Sequence, residues 1–158
     1  MQLNHQEIGI GIIGCGRMGN LRSSISRNNS SVKFIGISDI DSGKANQLGE
    51  RISADIISTN NSDIINDENI HALIVSTSEP EHYKPVINAL ERGKPVLVEK
   101  PIALSIDEAE NMVEAAAKNN TSLHVGYTLR FNRHYLIGKQ QIIENKVGNI
   151  LSCVGRFN

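Results

Sequence analysis

The chain of 158 residues has few cysteines, no excess of charge of either sign and no long apolar run. Its cysteines, Cys15 and Cys153, lie far apart in the sequence, which favours a reduced, cytoplasmic protein over a disulfide-stabilised one. Its 16 basic and 17 acidic residues are mixed along the chain, so neither a nucleic-acid surface nor an acidic disordered tail is predicted. Apolar runs are only as long as strands, and no charged start precedes one, so no membrane span or targeting segment is predicted.

The length allows one domain with a substantial core but not two domains of ordinary size. Four of the histidines show no paired spacing typical of metal ligands and are interpreted as structural or exposed: His5, His71, His124 and His134. No metal site is predicted.

An apolar stretch at residues 8–13 runs into a glycine-rich turn, the most informative feature of the sequence. The turn has the pattern G-x-G-x-x-G and reads Gly14-Cys15-Gly16-Arg17-Met18-Gly19. In this pattern Gly14 permits a tight turn, Gly16 lets the backbone approach a pyrophosphate, and Gly19 lets the next helix pack against the strand. N–H groups at the start of that helix then face the phosphate charge. Within the helix, Leu21 and Ile25 follow Met18 at helical spacing. A dinucleotide site is predicted here, and a redox role for Cys15 is the disfavoured alternative.

Asp39 follows a second predicted strand, residues 32–38, about twenty residues beyond the last glycine of the turn. An acid in this place can accept hydrogen bonds from a ribose 2′-hydroxyl and would repel a 2′-phosphate. No basic residue follows before Lys44, so NAD is favoured over NADP. The alternative is that Asp39 is a helix cap or turn residue, because Asp41 and further turn residues follow at once.

Strands and helices alternate along the rest of the chain. Further strands are predicted at residues 54–58, 71–76, 95–98 and 123–127, and a small helix around residues 64–65. A longer helix begins at Pro80 and ends at Gly93, and another begins at a Ser105/Glu108 capping box. The apolar stripe of that last helix is predicted to be buried and comprises Ile106, Ala109, Met112, Val113, Ala116 and Ala117. Repeated βαβ units predict an α/β fold with a doubly wound parallel sheet.

Ligands of such sheets bind outside the carboxyl ends of the strands. Besides the glycine turn and Asp39, these ends carry residues 77–79, 99–101 and 126–127. Glu99 and Lys100 are neighbours at one strand end, where successive side chains point to opposite faces. One of the two can therefore face a cofactor while the other faces a second group. A solvated pair of loop charges is the alternative.

With these motifs in this order, the chain resembles the Gfo/Idh/MocA oxidoreductases over roughly its first 130 residues. The residues that carry the resemblance are the glycine turn, Asp39, residues 77–82, Val98-Glu99-Lys100-Pro101 and Gly126-Tyr127-Thr128-Leu129-Arg130-Phe131. The resemblance implies an N-terminal Rossmann domain and a larger C-terminal α/β domain. It also implies NAD(P)-dependent oxidation or reduction of a sugar, polyol or nucleotide-sugar, and a homo-oligomer for the full-length protein.

The resemblance also implies roles for particular residues. Lys100 would be catalytic, facing the reacting carbon and stabilising charge on the substrate oxygen, with a Lys100–Pro101 bond that is often cis in the family. Glu99 would contact the nicotinamide end of the cofactor, and the cofactor channel would be lined by Thr77, Ser78, Pro80 and His82. Tyr127 and Arg130 would face the substrate. The alternatives are a surface position for His82, core packing for Tyr127 and a surface ion pair for Arg130.

The family's pattern is incomplete in this sequence. We expect a Rossmann domain at residues 1–128, followed at residues 129–158 by a connecting helix and only the first strand of the C-terminal domain, at residues 150–157. The acid and base partners that the family supplies from that domain cannot be assigned. The sequence is therefore interpreted as the N-terminal part of such an enzyme. The alternative is a non-catalytic module that binds NAD or a partner.

Overall fold

The computed structural model describes residues 7–155, and within them one parallel sheet forms the centre of the fold. Its strands are β1 (Ile8–Ile13), β2 (Val32–Ser38), β3 (Ile56–Ser58), β4 (Ala72–Val75), β5 (Val96–Val98) and β6 (Leu123–Val125). They pair in the order β3-β2-β1-β4-β5-β6, and each pair is parallel. The predicted doubly wound sheet is confirmed, and its order is that of dinucleotide-binding sheets.

Helices connect the strands as the predicted βαβ units require. They are α1 (Arg17–Arg27), α2 (Ser42–Ile52), α3 (Asn61–Ile65), α4 (Tyr83–Glu91), α5 (Ile106–Lys118) and α6 (Arg133–Ile143), with short 3₁₀ turns at Glu79–Glu81 and Thr128–Phe131. Side-chain caps begin four of them. Asp41 accepts hydrogen bonds from the N–H groups of Gly43 and Lys44, and the predicted cap Ser105 accepts one from Glu108 N–H. Asn60 and Asn132 cap α3 and α6 in the same way. None of the described helices is long and apolar enough to cross a membrane.

Two apolar clusters cover the two faces of the sheet. Because side chains of a strand alternate, the adjacent residues Ile12 and Ile13, both fully buried, belong to different clusters. Ile13 packs in the cluster that contains Leu73, Leu90 and Met112. Ile12 packs in the other, with core residues of β2 and α2. Burial on both faces fixes the ends of the central strands β1, β2 and β4, and thereby the loops that follow them.

The chain divides into two compact units, Met1–Gly126 and Tyr127–Asn158. The sheet lies in the first unit, and α6 lies in the second. The division was expected between residues 128 and 129. Residues 150–155 of the expected first C-terminal strand form no strand here, and no neighbouring strand pairs with them within the described part of the chain. Arg156 and Phe157 lie outside the described residues.

The predicted helix faces are only partly correct. In α5, Met112 and Ala116 are buried, whereas Ile106, Val113 and Ala117 are exposed. In α1, Leu21 and Ile25 are exposed, and the buried positions are Gly19 and Ser23. The reason in α1 is its close approach to the glycine turn: a Cβ atom on Gly19 would lie 1.9 Å from the carbonyl oxygen of Gly14. Such a contact selects small residues rather than the larger apolar ones.

Candidate dinucleotide site

A cleft of about 820 Å³ lies at the carboxyl ends of β1, β2 and β4. Its lining includes seven residues predicted from the sequence: Gly14, Gly16, Arg17, Met18, Asp39, Thr77 and Ser78. Six further lining residues were not predicted: Ile40, Asp41, Lys44, Asn61, Ser76 and Glu81. The structure thus brings the glycine turn, the end of β2 and the loop after β4 to one opening.

The three glycines of the turn have different surroundings. Gly14 has a φ of +95°, in the region that favours glycine, and an added Cβ would lie 2.7 Å from the backbone of Ser76. At Gly19 the carbonyl oxygen of Gly14 leaves no space for a Cβ atom. Gly16, in contrast, has nothing within 4 Å of an added Cβ, and no side chain caps the N-terminus of α1 that it begins. The open space and the uncapped helix start are what an approaching pyrophosphate needs.

Ser76 fixes this turn to the next strand. Its hydroxyl lies 2.9 Å from the carbonyl oxygen of Gly14 and 3.3 Å from that of Ile13, so it can donate to either. The side chain is buried, and it satisfies a carbonyl that the tight turn would otherwise leave unpaired. No sequence signal distinguished this serine, because its partner is 62 positions away.

Asp39 binds the glycine turn directly. Its Oδ2 atom accepts a hydrogen bond of 2.7 Å from Cys15 N–H, and its Oδ1 atom accepts one of 2.9 Å from Asp41 N–H. The turn-residue alternative is thus present in the structure, and Asp39 also lines the cleft. Carboxylate oxygens accept more than one hydrogen bond each, so these bonds leave room for a ribose hydroxyl, and the contact with a ribose stays a prediction.

Cys15 lies behind the turn rather than in the cleft. It is 3 % exposed, and its thiol lies 3.5 Å from the carbonyl oxygen of Ser38, to which it donates. Burial, and secondarily the negative charge of Asp39, raise the pKa of the Cys15 thiol from the usual 9.0 to about 12. The residue is therefore a neutral packing group near neutral pH, and a redox role gains no support.

Thr77, in the cleft wall, has a buried hydroxyl without a hydrogen-bond partner among the described residues. Such a hydroxyl is unusual, because buried hydroxyls are normally paired. The residue follows the end of β4 beside Ser78. Together with the space at Gly16, this unpaired hydroxyl fits a polar cofactor lying across the strand ends.

Glu99, the residue after β5, forms an ion pair that the sequence did not predict. Its Oε1 atom accepts hydrogen bonds of 2.9 Å from Nε and 2.6 Å from Nη2 of Arg22, in α1. Glu99 is 7 % exposed, and its carboxylate lies against Gly126, where an added Cβ would be 2.9 Å from Oε2. The predicted contact of Glu99 with the nicotinamide end of a cofactor stays a prediction, with Oε2 as the oxygen not held by Arg22.

Lys100, the residue after Glu99, has no ion-pair partner among the described residues. The Lys100–Pro101 peptide bond is cis, as the resemblance implied. The lysine is exposed, and no ion pair or hydrogen bond engages its ammonium within residues 7–155. At the carboxyl end of β5, Lys100 is therefore a cation free to contact a ligand.

His82 is buried, so the alternative of a surface position is wrong. The residue is 1 % exposed, and its ring nitrogens lie 2.9 Å (Nδ1) from the carbonyl oxygen of Pro101 and 3.2 Å (Nε2) from that of Thr77. Pro80, within the 3₁₀ turn just before it, is exposed and is not among the residues that line the cleft. Direct cofactor contacts of His82 and Pro80 stay predictions.

Tyr127 and Arg130 lie in the second unit, around its 3₁₀ turn. Both are exposed, Tyr127 by 48 %, so core packing of Tyr127 is wrong. Arg130 forms no ion pair within the described part of the chain, so the alternative that it belongs to a surface ion pair has no support. Their contact with substrate stays a prediction.

Known proteins are similar to this chain in sequence and in fold. An inositol 2-dehydrogenase from Rubrobacter xylanophilus is 27 % identical over 94 % of this chain and 43 % of its own length. A 2,7-anhydro-N-acetylneuraminate hydratase from Mediterraneibacter gnavus is 27 % identical over 92 % of this chain and 38 % of its own length. The crystal structure of a scyllo-inositol dehydrogenase from Lactobacillus casei, with bound NAD(H) and scyllo-inositol, superposes with a TM-score of 0.85 at 25 % identity, covering 92 % of this chain and 43 % of that one.

The chain thus spans less than half the length of these relatives. Residues 8–127 match the family described as an oxidoreductase family with an NAD-binding Rossmann fold. That range contains the whole sheet, the glycine turn, Asp39, Glu99 and Lys100. The chain belongs to the Gfo/Idh/MocA oxidoreductase family, of which it contains the NAD-binding Rossmann fold.

Proposed function

We propose that this chain binds NAD and is the cofactor-binding part of a dehydrogenase that transfers hydride to or from an inositol-like polyol or a sugar. The observation that carries the proposal is Lys100, an exposed cation without a protein partner at the carboxyl end of β5. A module that only binds a dinucleotide does not need a free ammonium there. Inositol dehydrogenases among the relatives support a substrate rich in hydroxyl groups.

The cleft supports NAD as the cofactor. Gly16 and the start of α1 would hold the pyrophosphate, since the backbone there is open and uncapped. Asp39 would accept hydrogen bonds from the adenosine ribose, and its charge would disfavour a 2′-phosphate. Thr77 would gain a partner for its unpaired hydroxyl.

Lys100 would act on the oxygen of the reacting carbon. When bound, the nicotinamide accepts or supplies the hydride. In oxidation, the C–H bond of a carbinol breaks, the hydroxyl loses its proton and a carbonyl forms. An ammonium within hydrogen-bond reach stabilises negative charge on that oxygen during the transfer, and it orients the group that exchanges the proton.

Cofactor binding is tested by thermal unfolding of this chain with each dinucleotide. We expect NAD at one hundred times its Kd to add about 2.7 kcal/mol to the free energy of unfolding, and NADP at the same concentration to add less. An equal or larger effect of NADP would contradict the role of Asp39. A folded chain whose unfolding neither dinucleotide changes would refute the whole proposal.

Catalysis is tested in a polypeptide extended to the length of the relatives, by the formation of NADH from inositols. We expect Lys100→Met to lower the turnover by about 100-fold or more while the Kd for NAD stays within about twofold. Lys84→Met, which removes an exposed lysine of α4, is the matched control and should change neither quantity. Binding of NAD without any net NADH formation in the unmodified protein would favour the non-catalytic module or, as the related hydratase suggests, a reaction without net redox change.

A further inference from the structure

His82 joins two loops at the carboxyl end of the sheet. It lies between the 3₁₀ turn Glu79–Glu81 and α4, and its ring reaches the carbonyl oxygens of Thr77, after β4, and Pro101, after β5. As the N-cap residue of α4 it makes no side-chain capping bond, so both ring nitrogens are directed to these loops. The contact to Pro101, at 2.9 Å, is the shorter one.

The chemistry of imidazole makes the two contacts unequal. A neutral ring carries one N–H group and donates to one carbonyl at a time, whereas both partners of His82 are acceptors. A buried carbonyl without a donor is costly, and both carbonyls belong to segments that no helix or strand includes. The two contacts differ in length, 2.9 Å to Pro101 O and 3.2 Å to Thr77 O, so the geometry favours the hydrogen bond to Pro101 O. We therefore expect the proton on Nδ1 and the hydrogen bond to Pro101 O.

The segment that this bond holds carries Lys100. On its other side, Glu99 is held by Arg22, and Glu99 N–H donates to Val75 O at 2.9 Å. Lys100 thus lies between two backbone positions fixed from different elements, while its own ammonium stays free.

We propose that His82 is a positioning residue for Lys100: by donating Nδ1–H to Pro101 O, it fixes the backbone from which the lysine reaches substrate. The inference rests on the proposed function, because it assigns His82 to the lysine's reaction and not to cofactor binding. His82 is not among the residues that line the cleft, so the affinity for NAD distinguishes this positioning role from the predicted cofactor contact.

Two substitutions of His82 separate its two contacts. The amide nitrogen of asparagine lies near the position of Nδ1, and that of glutamine lies near Nε2. His82→Asn therefore keeps the hydrogen bond to Pro101 O, His82→Gln keeps the one to Thr77 O, and His82→Leu keeps neither. If His82 served only to fill buried volume, the leucine or glutamine variant would protect residues 99–105 from hydrogen exchange at least as well as the asparagine variant.

Amide hydrogen exchange in residues 99–105 of this chain is the first measurement, and it needs no activity. We expect exchange to rise about tenfold or more in His82→Leu and His82→Gln, and to stay within about threefold of the unmodified chain in His82→Asn. The Kd for NAD should stay within about twofold in all three variants. Equal exchange in the asparagine and glutamine variants overturns the proposal, and a selective loss of NAD affinity would instead make His82 a cofactor contact.

Turnover in the extended polypeptide is the second measurement. We expect kcat to fall about tenfold or more in His82→Gln with KM for NAD unchanged, and to recover in His82→Asn. If the unmodified protein shows no dehydrogenase activity, the proposed function fails while hydrogen exchange still decides the hydrogen bond. If the variants do not fold, the ¹⁵N spectrum of histidine-labelled unmodified chain decides: a proton on Nδ1 of His82 supports the proposal, and its absence overturns it.

Discussion

The guanidinium of Arg22 holds the carboxylate of Glu99 at 2.6 Å, although the two residues are 77 positions apart in the sequence. The pair connects α1, the helix that begins at the glycine turn, with the end of β5, where Lys100 follows. The contact therefore relates the two halves of the candidate site, one predicted to bind phosphate and the other to act on substrate. Side chains of Arg22 and Glu99 are 18 % and 9 % exposed, so the pair is largely desolvated.

Removing Arg22 should leave a buried carboxylate without its counter-charge. We expect Arg22→Ala to lower the free energy of unfolding by about 2 to 3 kcal/mol, measured by urea denaturation, because breaking a largely buried ion pair exposes the desolvation cost of the remaining charge. The double variant Arg22→Met/Glu99→Gln should lose less than Arg22→Ala, since it leaves no charge unpaired.

An exposed ion pair provides the control for this experiment. Lys44 lies 3.7 Å from Asp41 with both side chains at least half exposed, and Lys44→Ala should change the free energy of unfolding by less than about 1 kcal/mol. If Arg22→Ala costs no more than Lys44→Ala, the Arg22–Glu99 pair has no structural importance.

Alanine substitutions should separate the roles of two glycines in the turn. Gly19→Ala places a Cβ 1.9 Å from a backbone oxygen, so we expect a loss of about 3 kcal/mol or more in the free energy of unfolding. Gly16→Ala meets nothing within 4 Å, and its φ of −69° suits alanine, so its cost should stay below about 1 kcal/mol. The Gly16 variant should nevertheless bind NAD about tenfold or more weakly, because its methyl group occupies the space that a pyrophosphate needs.

Gly138, in α6, is the matched control because it is also open on all sides. Gly138→Ala should leave the Kd for NAD unchanged in titration calorimetry. An unchanged Kd in Gly16→Ala as well would mean that no pyrophosphate approaches Gly16.

The sequence contained enough information for the sheet and for one wall of the site. Continuous apolar runs predicted the central strands, since strands buried on both faces lack alternation. The edge strands β3 and β6 were predicted from short apolar segments within the βαβ order. The glycine turn and Asp39 were identified because their spacing follows from cofactor geometry. Arg22, Ser76 and the burial of His82 were missed because their partners are remote in sequence or depend on tertiary packing. Periodicity failed where a helix approaches the backbone closely, as Leu21 in α1 shows.

The charge of Asp39 should determine the preference between the two dinucleotides. Asp39→Asn keeps an oxygen that can accept from Cys15 N–H, so it removes the charge with less damage to the turn than alanine would cause. We expect the ratio of the Kd for NADP to that for NAD to fall by about tenfold in this variant, measured by calorimetric titration. Glu68→Gln removes an exposed charge outside the cleft and should leave the ratio unchanged. A ratio that Asp39→Asn does not alter would assign Asp39 to the turn alone.

The two cysteines should differ sharply in reactivity, because the pKa of Cys15 is raised to about 12 while Cys153 is exposed. At pH 8 only about one Cys15 thiol in 10⁴ is a thiolate, so iodoacetamide should label Cys153 in the native chain and both residues in the unfolded chain.

The unfolded chain loses the Cys15 proton near its usual pKa of 9.0, whereas the native chain retains it to about pH 12. Stability from this group is therefore complete below pH 9 and decreases as pH rises from there to about 12. Cys15→Ala should flatten that part of the pH dependence in denaturant titrations. In the labelling experiment, rapid reaction of Cys15 in a folded Cys153→Ser variant would instead show that the glycine turn opens readily. The cofactor cleft would then lack the fixed shape expected from the hydrogen bond that Asp39 accepts from Cys15 N–H and the one that Ser76 donates to Gly14 O.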